Sequence, residues 1–183
     1  MIRPIVLFAD PVLRAVGARI LTVTEEVQRL AADMLETMYS AEGVGLAAQQ
    51  VGVALQLAVV DIRGVEDRPS KMWINGLEVD PLALMPMVLL NPELVLGKDR
   101  ESGKEGCLSF PKMTSEILRA VRVQCRAQKL DGTDYDFEAD GFLARALQHE
   151  VDHLNGVLFI DRMSSAAKAS LAGKLKRLMR GGR

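Results

Sequence analysis

Three shortages bound this chain before any motif is read. It has only two cysteines, Cys107 and Cys125, so no disulfide framework holds it together and a reducing cytoplasm is the expected compartment. It has no surplus of charge: 23 basic against 24 acidic side chains leave a formal net charge of -1, which gives no global reason to expect DNA as a partner. No apolar run reaches the ~20 residues that cross a membrane. The longest, Leu82 to Leu90, is broken by Pro86, and the N-terminal "MIRPIVLFADPVLRAVG" is interrupted by Pro4, Asp10, Pro11 and Arg14 as no signal peptide would be. What remains, 49% hydrophobic and 26% charged, is the composition of a globular protein, and residues 1–183 suffice for one domain with a substantial core.

The pattern along the chain predicts a mixed fold. Residues 25–39 carry Val27, Leu30, Ala31, Met34, Leu35 and Met38 at helical spacing, with Thr24 as N-cap. Leu57 to Ile62 reads as a buried strand, and Arg63 to Met87 as a long irregular segment. Short strands are expected at Val88–Leu90 and Leu94–Leu96, on either side of Asn91-Pro92. In "AVRVQCRAQKL" apolar and polar residues alternate from Val121 to Gln128, and Asp131-Gly132 turns the chain into a returning strand, Tyr135 to Ala139. Asp140 then caps a helix that Asn155-Gly156 ends, and a last helix spans Ser165 to Met179. Short strands first and a helix late give an α+β class. The nine methionines fall mainly at core spacing, and a few of them are candidates to line a substrate pocket.

The chemistry gathers in "HEVDH". His149 and His153 are the chain's only histidines, and at i and i+4 of a helix both imidazoles face one metal ion. Glu150 lies beside that ion, where a carboxylate takes a proton from water and hands it to a leaving group. A catalytic site has three protein ligands, so a carboxylate or a thiolate must join the histidines. Cys125 falls on the apolar face of its strand and reads as a small hydrophobe. Cys107, in "KEGCLSFP", is the better candidate, and the Leu108 N–H beside it can point at a bound substrate oxygen. Asp152 is expected as a solvated carboxylate or as one that backs the site, not as a ligand.

Three strings in order, "GVGLAAQQ", "EGCLS" and "QHEVDHLNG", together resemble the three motifs of the peptide deformylases, over nearly the whole chain. The resemblance implies short, mostly antiparallel strands around a central helix that bears the HExxH motif, and a C-terminal helix. It implies a metal-dependent hydrolase that removes the N-formyl group from the initiator methionine of nascent proteins. Its ligands fall on Cys107, His149 and His153, its catalytic carboxylate on Glu150, and its oxyanion donors on the Gln50 side chain and the Leu108 N–H. Fe²⁺ is the implied metal, with zinc, nickel or cobalt able to replace it. Gly43 and Gly45 are expected to let the loop lie against an extended peptide. Gln49 has no role and is expected to face solvent. The basic residue that the family places a few positions after EGCLS falls here on Thr114, with Lys112 and Arg119 as nearby cations and neither assigned.

Two other classes compete. An endopeptidase built on HExxH shares the helix but gives no account of the other two strings, and a binding module with a structural metal would need a fourth ligand. Past Asp161 the chain has no acidic residue but carries Arg162, Lys168, Lys174, Lys176, Arg177, Arg180 and Arg183. With Ala167, Leu171, Lys174, Leu175 and Leu178 as a packing stripe, residues 165–179 are expected to form a basic helix that contacts the ribosome.

Overall fold

The computed structural model of the chain describes residues 1–181. The first helix, α1 (Glu25–Ser40), starts where Thr24 accepts a hydrogen bond from the Val27 N–H. It buries Val27, Leu30, Ala31, Met34 and Met38; Leu35, expected on the same face, is only half-buried.

Nine strands follow in two sheets. The larger contains β1 (Gly45–Ala47), β2 (Leu57–Val60), β3 (Met72–Ile74), β4 (Leu77–Val79), β5 (Met87–Leu96), β8 (Arg122–Gln128) and β9 (Asp134–Asp140), in the order β1-β2-β5-β8-β9-β3-β4. Every pairing in it is antiparallel. The smaller sheet is a hairpin of β6 (Arg100–Gly106) and β7 (Thr114–Ala120). Three helices complete the chain: α2 (Gly141–Leu154), the short α3 (Phe159–Arg162) and α4 (Ser165–Gly181). The α+β class with a central motif-bearing helix is therefore what the chain adopts.

Several local expectations are corrected. The segment from Arg63 to Met87 is not irregular: β3 and β4 form a hairpin across Asn75 and Gly76, both at positive φ (51° and 77°). Asn-Gly between two apolar runs is the usual signal for that turn. The two strands expected around Asn91-Pro92 are one, β5, with its register shifted between Leu90 and Glu93. Proline has no N–H for the ladder. The Asn91 side chain, at 2.8 Å from both the N–H and the carbonyl of Ile20, supplies bonds the backbone loses there. Asp140 does not cap α2. Its carboxylate accepts from the Lys71 N–H (2.9 Å), while Ser70 Oγ accepts from the Leu143 N–H (2.9 Å).

Buried side chains group on the two faces of the large sheet. Leu57, Val59 and Leu90 pack with α1, while Val60, Met87, Val123 and Phe137 pack with Leu143 and Leu147 of α2. Nearly all of α2 is buried, as a helix wrapped on several sides must be. A third cluster joins Leu13, Phe110, Met113, Ile117 and Phe159, and Ala167, Leu171, Leu175 and Leu178 of α4 lie against it. Lys174, expected on that stripe, is exposed.

Candidate active site

A groove of about 440 Å³ runs between β1, the β6–β7 connection and α2. Three elements deliver its polar side chains. The turn after β1 contributes Gln50, the chain leaving β6 contributes Cys107 and Leu108, and α2 contributes His149 and Glu150.

Cys107 Sγ and one nitrogen each of His149 and His153 lie within 4.8 Å of one another. His153 Nε2 is 3.2 Å from the sulfur, and the two rings sit edge to face with centroids 5.0 Å apart. His149 Nδ1 is held by Glu105 Oε2 at 3.0 Å, so Nε2 is the nitrogen left for a ligand role. Among the described residues no fourth His, Cys, Asp or Glu joins this group. One thiolate and two imidazoles fit a divalent transition metal with an open position. Burial pulls the His149 ring down, but its hydrogen bonds with Cys107 and Glu105 outweigh that and hold it well above its usual range. His153 is pushed well below, mainly by burial. A metal taken up here therefore displaces protons.

Glu150 is buried, with Oε2 making no hydrogen bond. Burial pushes its carboxyl up to about 7. The space beside it exists because residue 45 is glycine: a Cβ there would fall on the Glu150 carboxylate, 2.8 Å from Cδ. A Cβ at Gly43 would lie 2.9 Å from Leu108 Cδ1. Both glycines line the groove, but the close contacts that exclude a side chain are with the protein itself. These contacts are a second reason for glycine at both positions, beside the expected passage of a peptide.

Gln50 is oriented by its own loop. Its Oε1 accepts from the Ala47 N–H at 2.9 Å, which turns the amide nitrogen toward Cys107 Sγ (3.5 Å) and Ser109 Oγ (3.4 Å). Among the described residues the Leu108 N–H makes no hydrogen bond, so it is a free donor beside the sulfur. Gln49 does not face solvent. It is fully buried, and Nε2 donates to Leu154 O (3.1 Å) and Ala15 O (3.4 Å), tying the turn to the end of α2.

Behind Cys107, His149 and His153 lies an ion network that motif reading did not find. Glu105 accepts from Arg119 Nε (2.9 Å) and Nη2 (3.0 Å), from Arg145 Nη1 (2.9 Å), and faces His149. Burial alone would raise Glu105; hydrogen bonds from His149 and Arg119 outweigh it and hold the carboxylate at about 2. Arg119 also reaches Asp152, which Arg162 grips from the other side. Asp152 is therefore buried and paired, not solvated, and Arg119, only 4% exposed, is not available to a peptide. Arg162 belongs to this network too, so it is not one of the free cations of the C-terminus. Glu105 stood in the quoted "EGCLS" string, but no local pattern told which cations would meet it. A larger hollow of about 620 Å³ lies on the far side of α2, against Gln148, Val151 and Asp152. Among the described residues no set of metal donors converges there, so the smaller groove is the candidate site.

With that geometry in place, comparison with known proteins is informative. The sequence model of polypeptide deformylase matches residues 2–169. The peptide deformylase of Methylacidiphilum infernorum is 44% identical over 181 residues, covering 99% of this chain and 95% of that protein. Among solved structures, a peptide deformylase from Legionella pneumophila superposes with a TM-score of 0.82 at 36% identity, covering 98% of this chain and 96% of that one. That of Thermus thermophilus gives a TM-score of 0.83 at 34% identity, with both chains covered completely.

Proposed function

Because the chain belongs to the polypeptide deformylase family, we propose a division of labour among its own residues for the family's reaction. The enzyme hydrolyses the N-formyl group from the N-terminal methionine of newly made proteins and releases formate. The amide C–N bond is broken by water, the oxygen leaves in formate, and the freed amine receives a proton.

Cys107, His149 and His153 are the residues that would hold the metal. When bound, the ion supplies Lewis-acid polarisation of the formyl carbonyl and lowers the pKa of water. Glu150, buried with an unpartnered oxygen, takes the proton from the attacking water and passes it to the departing amine. The Gln50 side-chain amide and the Leu108 N–H donate to the oxyanion that forms on the former carbonyl. One such donor typically contributes about 2.7–4 kcal/mol to the barrier. The observation that carries this assignment is that the Cys107, His149 and His153 donor atoms lie within 4.8 Å of one another beside the unpartnered Glu150 carboxylate and the free Leu108 N–H.

The test uses a formylated and an acetylated Met-tripeptide. Formate release from the first, with little turnover of the second, is expected. Cleavage of internal peptide bonds without formate would favour the endopeptidase instead. Glu150→Gln should keep the metal and lose nearly all turnover; a variant that stays active would remove the proton-shuttle assignment.

The metal we propose is Fe²⁺, with zinc, nickel or cobalt able to occupy the same donors. A thiolate on iron is open to stepwise oxidation at Cys107. Aerobic preparations should then lose activity faster than nickel-substituted ones, and equal decay would argue for zinc as the native ion. The proposed setting is the cytoplasm, with residues 1–183 as one catalytic domain. Among the described residues no helix is long and apolar enough to cross a membrane.

The proposed partner beyond the nascent peptide is the ribosome. Lys168, Lys174, Lys176 and Arg177 are exposed on α4, while its apolar stripe packs beside Phe110 and Met113; the side chain of Arg180 and all of Arg183 lie outside the described residues. Deleting the helix would disturb that packing, so charge reversal is the cleaner probe. Changing the four cations to Glu should leave turnover of a free tripeptide intact and weaken ribosome binding at low salt. Undiminished binding would mean the helix only packs.

A further inference from the structure

Arg68 enters the groove from the segment before β3, and nothing in the chemistry above uses it. Its guanidinium lies over the Phe142 ring, 4.2 Å from the centroid, and Nη1 donates to Lys104 O at 3.2 Å. The following residues are fastened to the start of α2. The Phe142 N–H donates to Pro69 O (3.2 Å), the Leu143 N–H to Ser70 Oγ (2.9 Å) and the Asp140 N–H to Lys71 O (3.0 Å). Gly141, at φ 62°, permits this approach, since a Cβ there would strike the Pro69 carbonyl. Arg68 is thus held by its neighbours on a fixed stretch of chain, unlike the exposed Lys104 and Lys112 on the same rim.

What Arg68 separates is specific. The groove and a second cavity of about 290 Å³ share three lining residues, Arg68, Phe142 and Arg145. Arg145 is pinned in place by Glu105, Ile117 O and Glu101 O. The Arg68–Phe142 stack is therefore the part of the wall that a substitution can remove without breaking the Arg145 contacts. Along α2, His149, Ala146 and Phe142 form one row facing the groove. Seven residues of helix place Phe142 about 10.5 Å from His149 along the axis. A methionine whose formyl group sits at His149 directs its side chain along that row, over Ala146 toward Phe142.

We propose that Arg68, stacked on Phe142, is a specificity-determining residue that closes the far end of the pocket for the first residue's side chain and so limits its length. The inference rests on the deformylase reading. Removing the guanidinium opens the groove into the second cavity, and a longer unbranched side chain gains room.

The experiment compares kcat/KM for formyl-Met-Ala-Ser with that for the same peptide carrying 2-aminooctanoic acid, two heavy atoms longer, in place of methionine. The wild-type chain should prefer methionine, and Arg68→Ala should reduce that preference roughly tenfold or more, chiefly through KM for the longer peptide. Lys112→Ala, which removes a cation that lines only the groove, should leave the ratio at its wild-type value. An unchanged ratio in folded Arg68→Ala overturns the proposal, as does an equal change in Lys112→Ala, which would mean that charge and not the wall is sensed. If the wild type releases no formate from the methionyl peptide, it is the deformylase reading that fails instead.

Discussion

Replacing Gly45 by alanine tests the link between the glycine-rich string and catalysis. Gly45 is not in the left-handed region, so the substitution adds one methyl group without backbone strain. That methyl would lie 2.8 Å from Glu150 Cδ and 3.0 Å from Cγ, whereas carbon atoms pack at about 3.5–4.0 Å. Something must move by roughly 0.5–1 Å, and Gly45 is paired with Val60 in the sheet, so the Glu150 side chain yields. A displacement of about 1 Å at a reacting group costs ~100-fold in rate, equivalent to about 2.7 kcal/mol. Overpacking should cost a further ~1–3 kcal/mol of stability. Steady-state kinetics on a formyl-Met tripeptide should show kcat down about 100-fold with metal content unchanged. Shortening the carboxylate relieves the clash, so Glu150→Asp should cost less in the Gly45→Ala background than in the parent. If Gly45→Ala retains kcat within about threefold, the reasoning from the absent Cβ is wrong.

The ion network around Glu105 and Asp152 should be visible in stability. Arg119→Met strips one partner from Glu105 and one from Asp152, but Arg145, His149 and Arg162 remain. We therefore expect the low end of the range for a broken buried pair, about 3 kcal/mol. For a chain of this length that is a fall of roughly 6–12 °C in Tm, and a melt within about 2 °C of wild type would refute it. Glu105 titrates at about 2 in the folded chain against an ordinary 4.5. Its depressed value means the stabilisation is full above about 4.5 and drains as the pH falls toward 2. Chemical denaturation from pH 6 downward should be less acid-sensitive in Glu105→Gln, and parallel curves would count against this. The two thiols should also differ: burial pushes Cys125 up to about 12, while Cys107 lines the groove. After chelation, iodoacetamide at neutral pH should label Cys107 alone by mass spectrometry, and equal labelling would contradict the burial of Cys125.

What the sequence made legible was whatever depends on spacing along one element. His149 and His153 share a helix face by periodicity alone, and the alternation from Val121 to Gln128 announced β8. What it hid depends on contacts between distant segments. Gln49 looked like any polar loop residue, yet its partners are the carbonyls of Leu154 and Ala15. Arg119 looked like one more unassigned cation near EGCLS, and only the pairing of β6 with β7 turns it inward to Glu105. β6 itself, "RESGKEG", has no apolar alternation to detect; pairing with β7 makes it a strand. The β3–β4 hairpin was a different kind of miss, since Asn75-Gly76 did carry a local signal.

The fastening of residues 69–71 to the start of α2 divides the preceding loop into two parts with different freedom to vary. Between Gly64 and Asp67 the chain makes few bonds to the rest of the protein, and an insertion there should leave His149 in place. From Pro69 to Lys71 an insertion would shift the acceptors for the amides of Asp140, Phe142 and Leu143 and leave the helix that carries His149 and His153 uncapped. Native-state hydrogen exchange would read this directly. The amides of Phe142 and Leu143 should exchange together with any opening of 69–71, whereas those of residues 147–150, bonded within the helix, should exchange only when α2 itself unfolds.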